Sequence, residues 1–142
     1  MATTITRKLE WDSGHRVLGH GGKCRHLHGH RYVAEVTVEA SNLDQLGMVV
    51  DFSTVKTLVG KWIDDNWDHN LLLHSDDPQW EHLVLTEERP PYCMGQENPT
   101  AENIARHLAT VARELLGPSL TIKRVRIYET PNCWADWSLE ER

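Results

Sequence analysis

The sequence has little of what marks secreted, membrane-spanning or nucleic-acid-binding proteins. Its three cysteines are an odd number, and no apolar signal region follows residues 1–4, which argues against secretion and a disulfide framework. No apolar run approaches the ~18 residues that a membrane span needs. The net charge of −6 opposes a basic surface for nucleic acid or anionic membranes. We therefore expect a cytoplasmic protein that binds neither nucleic acid nor membrane.

The signatures of several large enzyme classes are missing as well. The sequence contains no Walker loop, G-x-G-x-x-G, G-x-S-x-G or H-E-x-x-H pattern. It also has no internal repeat and no Gly/Ser/Pro-rich linker. A chain of 142 residues is long enough for one ordinary core and too short for two domains of usual size. Residues 1–142 are therefore predicted to form a single domain.

Apolar alternation predicts an α+β fold built on four strands. The predicted strands lie at residues 5–11, 28–38, 120–128 and 134–137. Two helices fall between the strand pairs, so the order is β-β-α-α-β-β. This order favours a four-stranded antiparallel sheet with both helices on one face. The other face would lack cover, and we expect the chain to form a homo-oligomer through sheet edges or faces.

Capping residues and apolar spacing predict the two helices. Asp51 is a suitable N-cap for the first and Thr100 for the second. Their expected inward stripes are Phe52, Val55, Val59, Trp62 and Ile63 in the first, and Ile104, Leu108, Val111 and Leu115 in the second. Between the helices, residues 74–96 are predicted to form a long irregular excursion. Loops of that length are uncommon unless they are functional or mobile.

Histidine is the abundant residue that calls for an explanation. Of nine histidines, five lie within residues 15–30. His28 and His30 are two apart on a strand and point to one side of the sheet, and His15 is a candidate third ligand. Three imidazoles with one open position are typical of a catalytic Zn²⁺ site. Ordinary buried histidines, or a closed structural site that includes Cys24, remain open alternatives at this point.

Cys24 lies in a locally basic stretch although the whole chain is acidic. Its neighbours Lys23 and Arg25 favour the thiolate, the form that acts as a base or nucleophile. Residues 7–31 hold six basic and two acidic side chains, a patch suited to a polyphosphate. A spectator thiol on a solvated surface is the alternative interpretation.

Two further titratable positions are candidates for chemistry. Asp68 and His69 can act together only if a turn folds the imidazole back onto the carboxylate. Glu129 continues the inward parity of Val125 and Ile127, and an inward carboxylate needs a cation, a metal or a ligand N–H pair as partner. A misread parity would instead leave Glu129 at the surface.

Six short motifs occur in a fixed order. They are Gly14-His15-Arg16, Cys24-Arg25-His26-Leu27-His28-Gly29-His30, Val50-Asp51-Phe52, Asp68-His69, Glu97-Asn98-Pro99-Thr100 and Tyr128-Glu129-Thr130. Together they resemble the 6-pyruvoyltetrahydropterin synthase and 6-carboxytetrahydropterin synthase group. The resemblance implies the tunnelling fold, in which three β-β-α-α-β-β units close a barrel. Two such trimers commonly stack into a hexamer, with active sites between subunits.

The resemblance also implies roles for individual residues. It makes His15, His28 and His30 the zinc ligands and Cys24 the base that removes a proton from the pterin side chain. By the same resemblance, Asp68 orients His69 on the opposite side of the substrate, and Glu129 anchors the pterin ring. The resemblance also puts Thr100 and Glu97 in the pterin pocket, although Thr100 equally suits a purely N-capping role. Lys23 and Arg25 are candidate substrate contacts on a separate ground, the basic patch to which they belong.

The gap of three residues between Cys24 and His28 resembles the bacterial carboxy-forming branch that serves queuosine and 7-deazapurine biosynthesis. That branch implies a zinc-dependent lyase converting 7,8-dihydroneopterin triphosphate and water to 6-carboxy-5,6,7,8-tetrahydropterin, acetaldehyde and triphosphate. The alternatives are a pyruvoyl-forming synthase, which eliminates triphosphate, and a non-catalytic zinc-binding module. Two departures from the family pattern, His26 and the 74–96 excursion, concern substrate entry.

Overall fold

Six strands form one mixed sheet in the computed structural model, which describes residues 2–86 and 89–140. The strands are β1 (Thr3–His15), β2 (His28–Ala40), β3 (Asn70–Leu73), β4 (Tyr92–Cys93), β5 (Thr121–Thr130) and β6 (Cys133–Ser138). Their spatial order is β4-β3-β1-β2-β5-β6. The four long strands pair antiparallel as predicted. The prediction of a sheet with only four antiparallel strands is wrong, because β3 and β4 add to it in parallel.

Helices occupy three regions rather than two. The first region runs through α1 (Phe52–Val55), a π-helical turn (Lys56–Gly60) and α2 (Lys61–Asn66). The others are α3 (Trp80–Thr86), inside the expected irregular excursion, and α4 (Ala101–Leu116). Among the described residues, no helix combines the length and the apolar character that crossing a membrane requires.

Two expected inward residues of the helices are on the outside. Phe52 is 52% exposed because it is the first residue of α1, whereas Val55, Val59 and Ile63 are buried. In α4 Leu115 is 37% exposed. The buried face of α4 is made of Ala101, Ile104, Ala105, Leu108, Ala109 and Ala112. Leu115 lies in the last turn of α4, beyond the last buried residue of that face, Ala112.

The β1–β2 register brings the histidines together. Trp11 pairs with Tyr32, and His15 pairs with His28. Because side chains alternate along a strand, this register places His15, His28 and His30 on the helix-covered face at one end of the sheet. The sequence alone predicts that His28 and His30 share one face. The pairing of β1 with β2 then places His15 beside them.

The helix-free face of the sheet is charged. Glu35 contacts Lys8 and Arg124, and Arg126 forms a two-bond ion pair with Asp136. This corrects the expectation that an uncovered apolar face needs a partner. Within the described residues, residues 3–12 of β1 pair only with β2, so the outer edge of that stretch is open, as is that of β6. These open edges leave backbone N–H and C=O groups available for pairing with another strand.

Candidate metal centre and active site

Three imidazoles converge at the end of β1 and β2. One ring nitrogen from each of His15, His28 and His30 lies within 4.8 Å of the others. Nε2 of His15 is 3.1 Å from Nε2 of His28. Two nitrogens bound to one tetrahedral Zn²⁺ at 2.0–2.1 Å would be roughly 3.3 Å apart. The cluster therefore has nearly the dimensions of a metal site.

Backbone carbonyls fix the orientation of two of these rings. Nδ1 of His15 lies 2.6 Å from the Pro99 carbonyl oxygen, and Nδ1 of His28 lies 2.7 Å from that of His26. A carbonyl only accepts, so each Nδ1 carries the proton and each neutral ring turns an Nε2 lone pair toward the other. Nε2 of His30 is buried without a hydrogen-bond partner among the residues that the structure describes. A cation bound between these Nε2 atoms would satisfy all three of them. Metal-binding histidines commonly donate their other ring N–H to a backbone carbonyl, as His15 and His28 do here.

Burial holds His15 and His30 in the neutral form that binds metals. Burial lowers the pKa of His15 to about 4, despite the hydrogen bond to Pro99, and it also lowers the pKa of His30. Both rings are therefore neutral near pH 7. The Tyr32 ring packs edge-on against the rings of His15 and His30. It is itself stacked on Trp11, with 5.2 Å between the ring centroids. This packing makes the cluster rigid.

Glu129 lies beside the histidines. Its two carboxylate oxygens are 4.0 Å from Nε2 of His15 and 3.9 Å from Nε2 of His30. The side chain is partly exposed, so its carboxylate is available to a ligand that approaches the cluster. This is the inward position that its parity on β5 predicts.

Cys24 lies in a short 3-10 helix, Lys23–Arg25, between β1 and β2. The thiol is partly exposed, and it does not belong to the group of ligand atoms formed by the three histidines. The backbone amide of Val17 donates to the carbonyl of Cys24 over 2.7 Å. Lys23 and Arg25 are exposed on either side of it. Nε of Arg25 donates to Nε2 of His26 over 3.3 Å. The structure thus keeps a cysteine between two exposed cations, outside the group of three histidines.

A tight turn assembles Asp68 and His69. His69 has a left-handed backbone with φ of 57°, a strained conformation for a residue other than glycine. Its Nδ1 lies 3.0 Å from Oδ2 of Asp68. The Asp12 amide donates to Oδ1 of Asp68, and the His69 amide donates to the Asp12 carbonyl. Burial raises the pKa of Asp68, but these hydrogen bonds and His69 outweigh it and hold that pKa below its usual value.

The Asp68–His69 pair and the histidine cluster lie on opposite sides of the sheet. A ring nitrogen of His69 lies within 4.8 Å of the Asp12 carboxylate, which accepts a hydrogen bond from Arg31 on the helix-free face. Asp12, Arg31 and His69 line a shallow cavity of about 440 Å³ together with other residues, His30 among them. His15 projects to the other face, so a small ligand bound at the histidine cluster of one chain would be separated by the sheet from His69 of that chain.

Two of the predicted substrate contacts have structural partners. The Thr100 hydroxyl accepts a hydrogen bond from the Asn103 amide over 3.1 Å and is the N-cap of α4. Glu97 forms an ion pair with Arg106. The 97–100 segment is nevertheless close to the cluster, because its Pro99 carbonyl holds His15.

Sequence reasoning missed several residues around the site. Asp77 is fully buried and receives a two-bond ion pair from Arg16, next to His15. Asp12 and Arg89 contact the Asp68–His69 turn. No local pattern links these partners, which are tens of residues apart. Tyr32 carried a usable signal, because it continues the parity of His28 and His30.

Acid is expected to destabilise the metal-free protein. His15 has an ordinary pKa of 6.5 when unfolded and about 4 when folded. Its contribution to the free energy of unfolding is therefore complete above pH 6.5 and is lost as the pH falls to about 4. The loss amounts to about 3 kcal/mol. Urea unfolding at pH 7.5 and 4.5 measures it, with His15→Gln as the control that lacks this group. An equal acid loss in both proteins would contradict the assignment.

The family profile and two curated relatives that match this chain carry the names of tetrahydropterin synthases. The family profile described as 6-pyruvoyl tetrahydropterin synthase matches residues 4–140. A 6-carboxy-5,6,7,8-tetrahydropterin synthase of Rickettsia felis is 44% identical over 133 residues, covering 92% of this chain and 96% of the relative. One of Haemophilus influenzae is 30% identical over 139 residues, covering 94% and 96%.

Solved structures share the fold. An uncharacterized protein from Wolinella succinogenes has a TM-score of 0.85 at 24% identity, with 99% of each chain covered. The 6-pyruvoyl tetrahydropterin synthase of Caenorhabditis elegans has a TM-score of 0.71 at 23% identity, with 99% of this chain and 97% of that chain covered.

Proposed function

The chain belongs to the 6-pyruvoyl tetrahydropterin synthase family, and we propose that it is a zinc-dependent 6-carboxy-5,6,7,8-tetrahydropterin synthase. Its reaction would convert 7,8-dihydroneopterin triphosphate and water to 6-carboxy-5,6,7,8-tetrahydropterin, acetaldehyde and triphosphate, in the cytoplasm and in the service of queuosine and 7-deazapurine synthesis. The names of its 44% and 30% identical relatives support the carboxy-forming branch. The short gap between Cys24 and His28 agrees with them.

The observation that carries the zinc assignment is the pair of facing Nε2 lone pairs on His15 and His28, with the unpartnered Nε2 of His30 beside them. These three nitrogens would hold the ion. Bound there, zinc would polarise a substrate oxygen and make the neighbouring C–H more acidic. Three protein ligands leave a position for that oxygen, and the carboxylate of Glu129 borders it.

The chain's own groups would bind the substrate and move its protons. Glu129 would accept hydrogen bonds from the 2-amino group and N3 of the pterin, a donor pair that suits a bidentate carboxylate. Cys24 would take a proton from the side chain of the pterin. His69, oriented through Nδ1 by Asp68, would exchange a proton on the opposite side through Nε2.

Further contacts would fix the rest of the substrate. Lys23 and Arg25 flank Cys24 as exposed cations, and they would bind the triphosphate. Glu97 and Thr100 lie on the segment that carries the Pro99 carbonyl and would line the pterin pocket, although their present partners are Arg106 and the Asn103 amide.

We further propose that a complete active site uses two chains in a trimer-based assembly, two trimers forming a hexamer. One chain would supply the zinc cluster and Cys24, and its neighbour would supply Asp68 and His69, because the sheet separates the two groups within a chain. The open edges of β1 and β6 would meet to close a barrel. The charged helix-free face, with pairs such as Arg126–Asp136, suits a hydrated barrel interior.

Product analysis is the direct test of the proposed activity. Zinc-loaded protein incubated with 7,8-dihydroneopterin triphosphate is expected to yield 6-carboxytetrahydropterin by mass spectrometry, with acetaldehyde trapped in the same tube. Pyruvoyltetrahydropterin without acetaldehyde would assign the chain to the pyruvoyl-forming branch instead. Unchanged substrate would contradict both activities and favour a non-catalytic zinc-binding module. Protein stripped of metal by a chelator is the matched control.

A further inference from the structure

Arg89 joins the excursion to the turn that carries Asp68 and His69. Its Nη1 donates to the carbonyl oxygen of Asp68 and its Nη2 donates to that of Asp65, each over 2.6 Å. The Asp65 carbonyl lies in the last turn of α2, where a helix leaves backbone acceptors without intrahelical partners, and the Asp68 carbonyl lies in the turn that follows. A planar guanidinium with two parallel donors is well suited to hold two such carbonyls at once.

The turn needs this support because its backbone is strained. A non-glycine residue in the left-handed region costs of order 1–3 kcal/mol and persists only when its surroundings hold it. His69 is such a residue. Asp12 fixes the side of the turn that faces β1, through its amide and its carbonyl. Arg89 fixes the opposite side, at the peptide group that connects Asp68 to His69.

Arg89 is itself held in place because the segment is anchored on both sides of it. Before it, buried Asp77 pairs with Arg16. After it, the Met94 amide donates to the Leu73 carbonyl, and the Tyr92 hydroxyl lies 2.7 Å from Nε2 of His107 on α4. These contacts hold described residues before and after Arg89 against the rest of the fold, which favours a defined position for its guanidinium.

We propose that Arg89 is a positioning residue for the Asp68–His69 pair, acting through the Asp68 carbonyl. The proposal rests on the proposed function of that pair. Both hydrogen bonds of Arg89 within the described residues go to backbone carbonyls, so it would set the direction of the His69 imidazole without taking part in proton transfer. A misplacement of about 1 Å in a catalytic group can cost 100-fold in rate.

The variants Arg89→Ala and Arg89→Lys test the proposal in the zinc-loaded, full-length protein. Arg89→Ala is expected to lower kcat roughly 10-fold to 100-fold with KM within about twofold of the unsubstituted value. Arg89→Lys keeps one donor and is expected to recover part of the loss. Zinc content is expected to stay unchanged. Lys61→Ala, which removes an exposed cation from α2, is the matched control and is expected to keep full activity.

A second readout does not depend on turnover. Nitrogen-15 NMR of labelled histidines reports whether the His69 proton resides on Nδ1, facing Asp68. Arg89→Ala is expected to reduce that tautomer, and Lys61→Ala is not. Unchanged His69 signals in Arg89→Ala, whether kcat falls or not, would overturn the proposal. If Arg89→Ala does not fold, the same comparison is made with Arg89→Lys. An inactive unsubstituted protein would count against the proposed function, while the NMR comparison would still decide the role of Arg89.

Discussion

Replacement of Cys24 by alanine is expected to abolish turnover while the protein stays folded and loaded with zinc. The thiol is the proposed proton acceptor, and loss of a general base typically costs 10²-fold to 10⁴-fold in rate. Zinc should be retained because the three histidine nitrogens converge without the sulfur, which lies outside their group. The separation of these two effects is the distinctive part of the prediction.

Three measurements on the same preparation test it. They are steady-state kinetics with 7,8-dihydroneopterin triphosphate, zinc content by elemental analysis, and circular dichroism. Cys93→Ala is the matched control, since Cys93 is another free cysteine that is exposed on β4. We expect this variant to keep nearly full activity.

Two results would contradict the assignment of Cys24. Loss of zinc together with unfolding would mean that Cys24 closes a structural site with the three histidines. Full activity with zinc retained would mean that another group removes the proton.

The predictable parts of the fold are those in which apolar residues recur with the period of a strand or a helix. Alternation along β2 predicted that His28 and His30 share one face. Alternation along β5 likewise predicted that Glu129 points inward. The strands β3 and β4 were missed because four and two residues are too short to show a period of two. Their positions depend on pairing with β1 and with each other, which is tertiary information.

The division of the site between two faces could not be predicted from the sequence either. The Asp68–His69 motif indicates a catalytic pair, but nothing in it specifies the side of the sheet. That side is set by hydrogen bonds to Asp12, 56 residues earlier in the chain. The contact with Arg89 is also non-local, because Arg89 lies 21 residues after Asp68, within the excursion that the sequence marks only as irregular.

Two inactive variants are expected to restore activity when they are assembled together. Cys24→Ala and His69→Ala each remove one half of the proposed proton machinery. If a site combines Cys24 of one chain with His69 of a neighbour, a mixed assembly contains some sites in which both groups are intact. Random mixing at equal amounts should recover about a quarter of the full activity, since each half of a site is intact in half of the cases.

Co-expression with two different affinity tags, followed by purification on both tags, gives the mixed assembly, and light scattering gives its mass. Preparations in which both tagged chains carry the same substitution are the controls and should stay inactive. His69→Ala is expected to keep its zinc, because His69 is on the opposite side of the sheet from His15. A mixed assembly of confirmed composition without activity would mean that each site is built within one chain. The separation by the sheet would then have to be bridged by a rearrangement of the turn that carries His69.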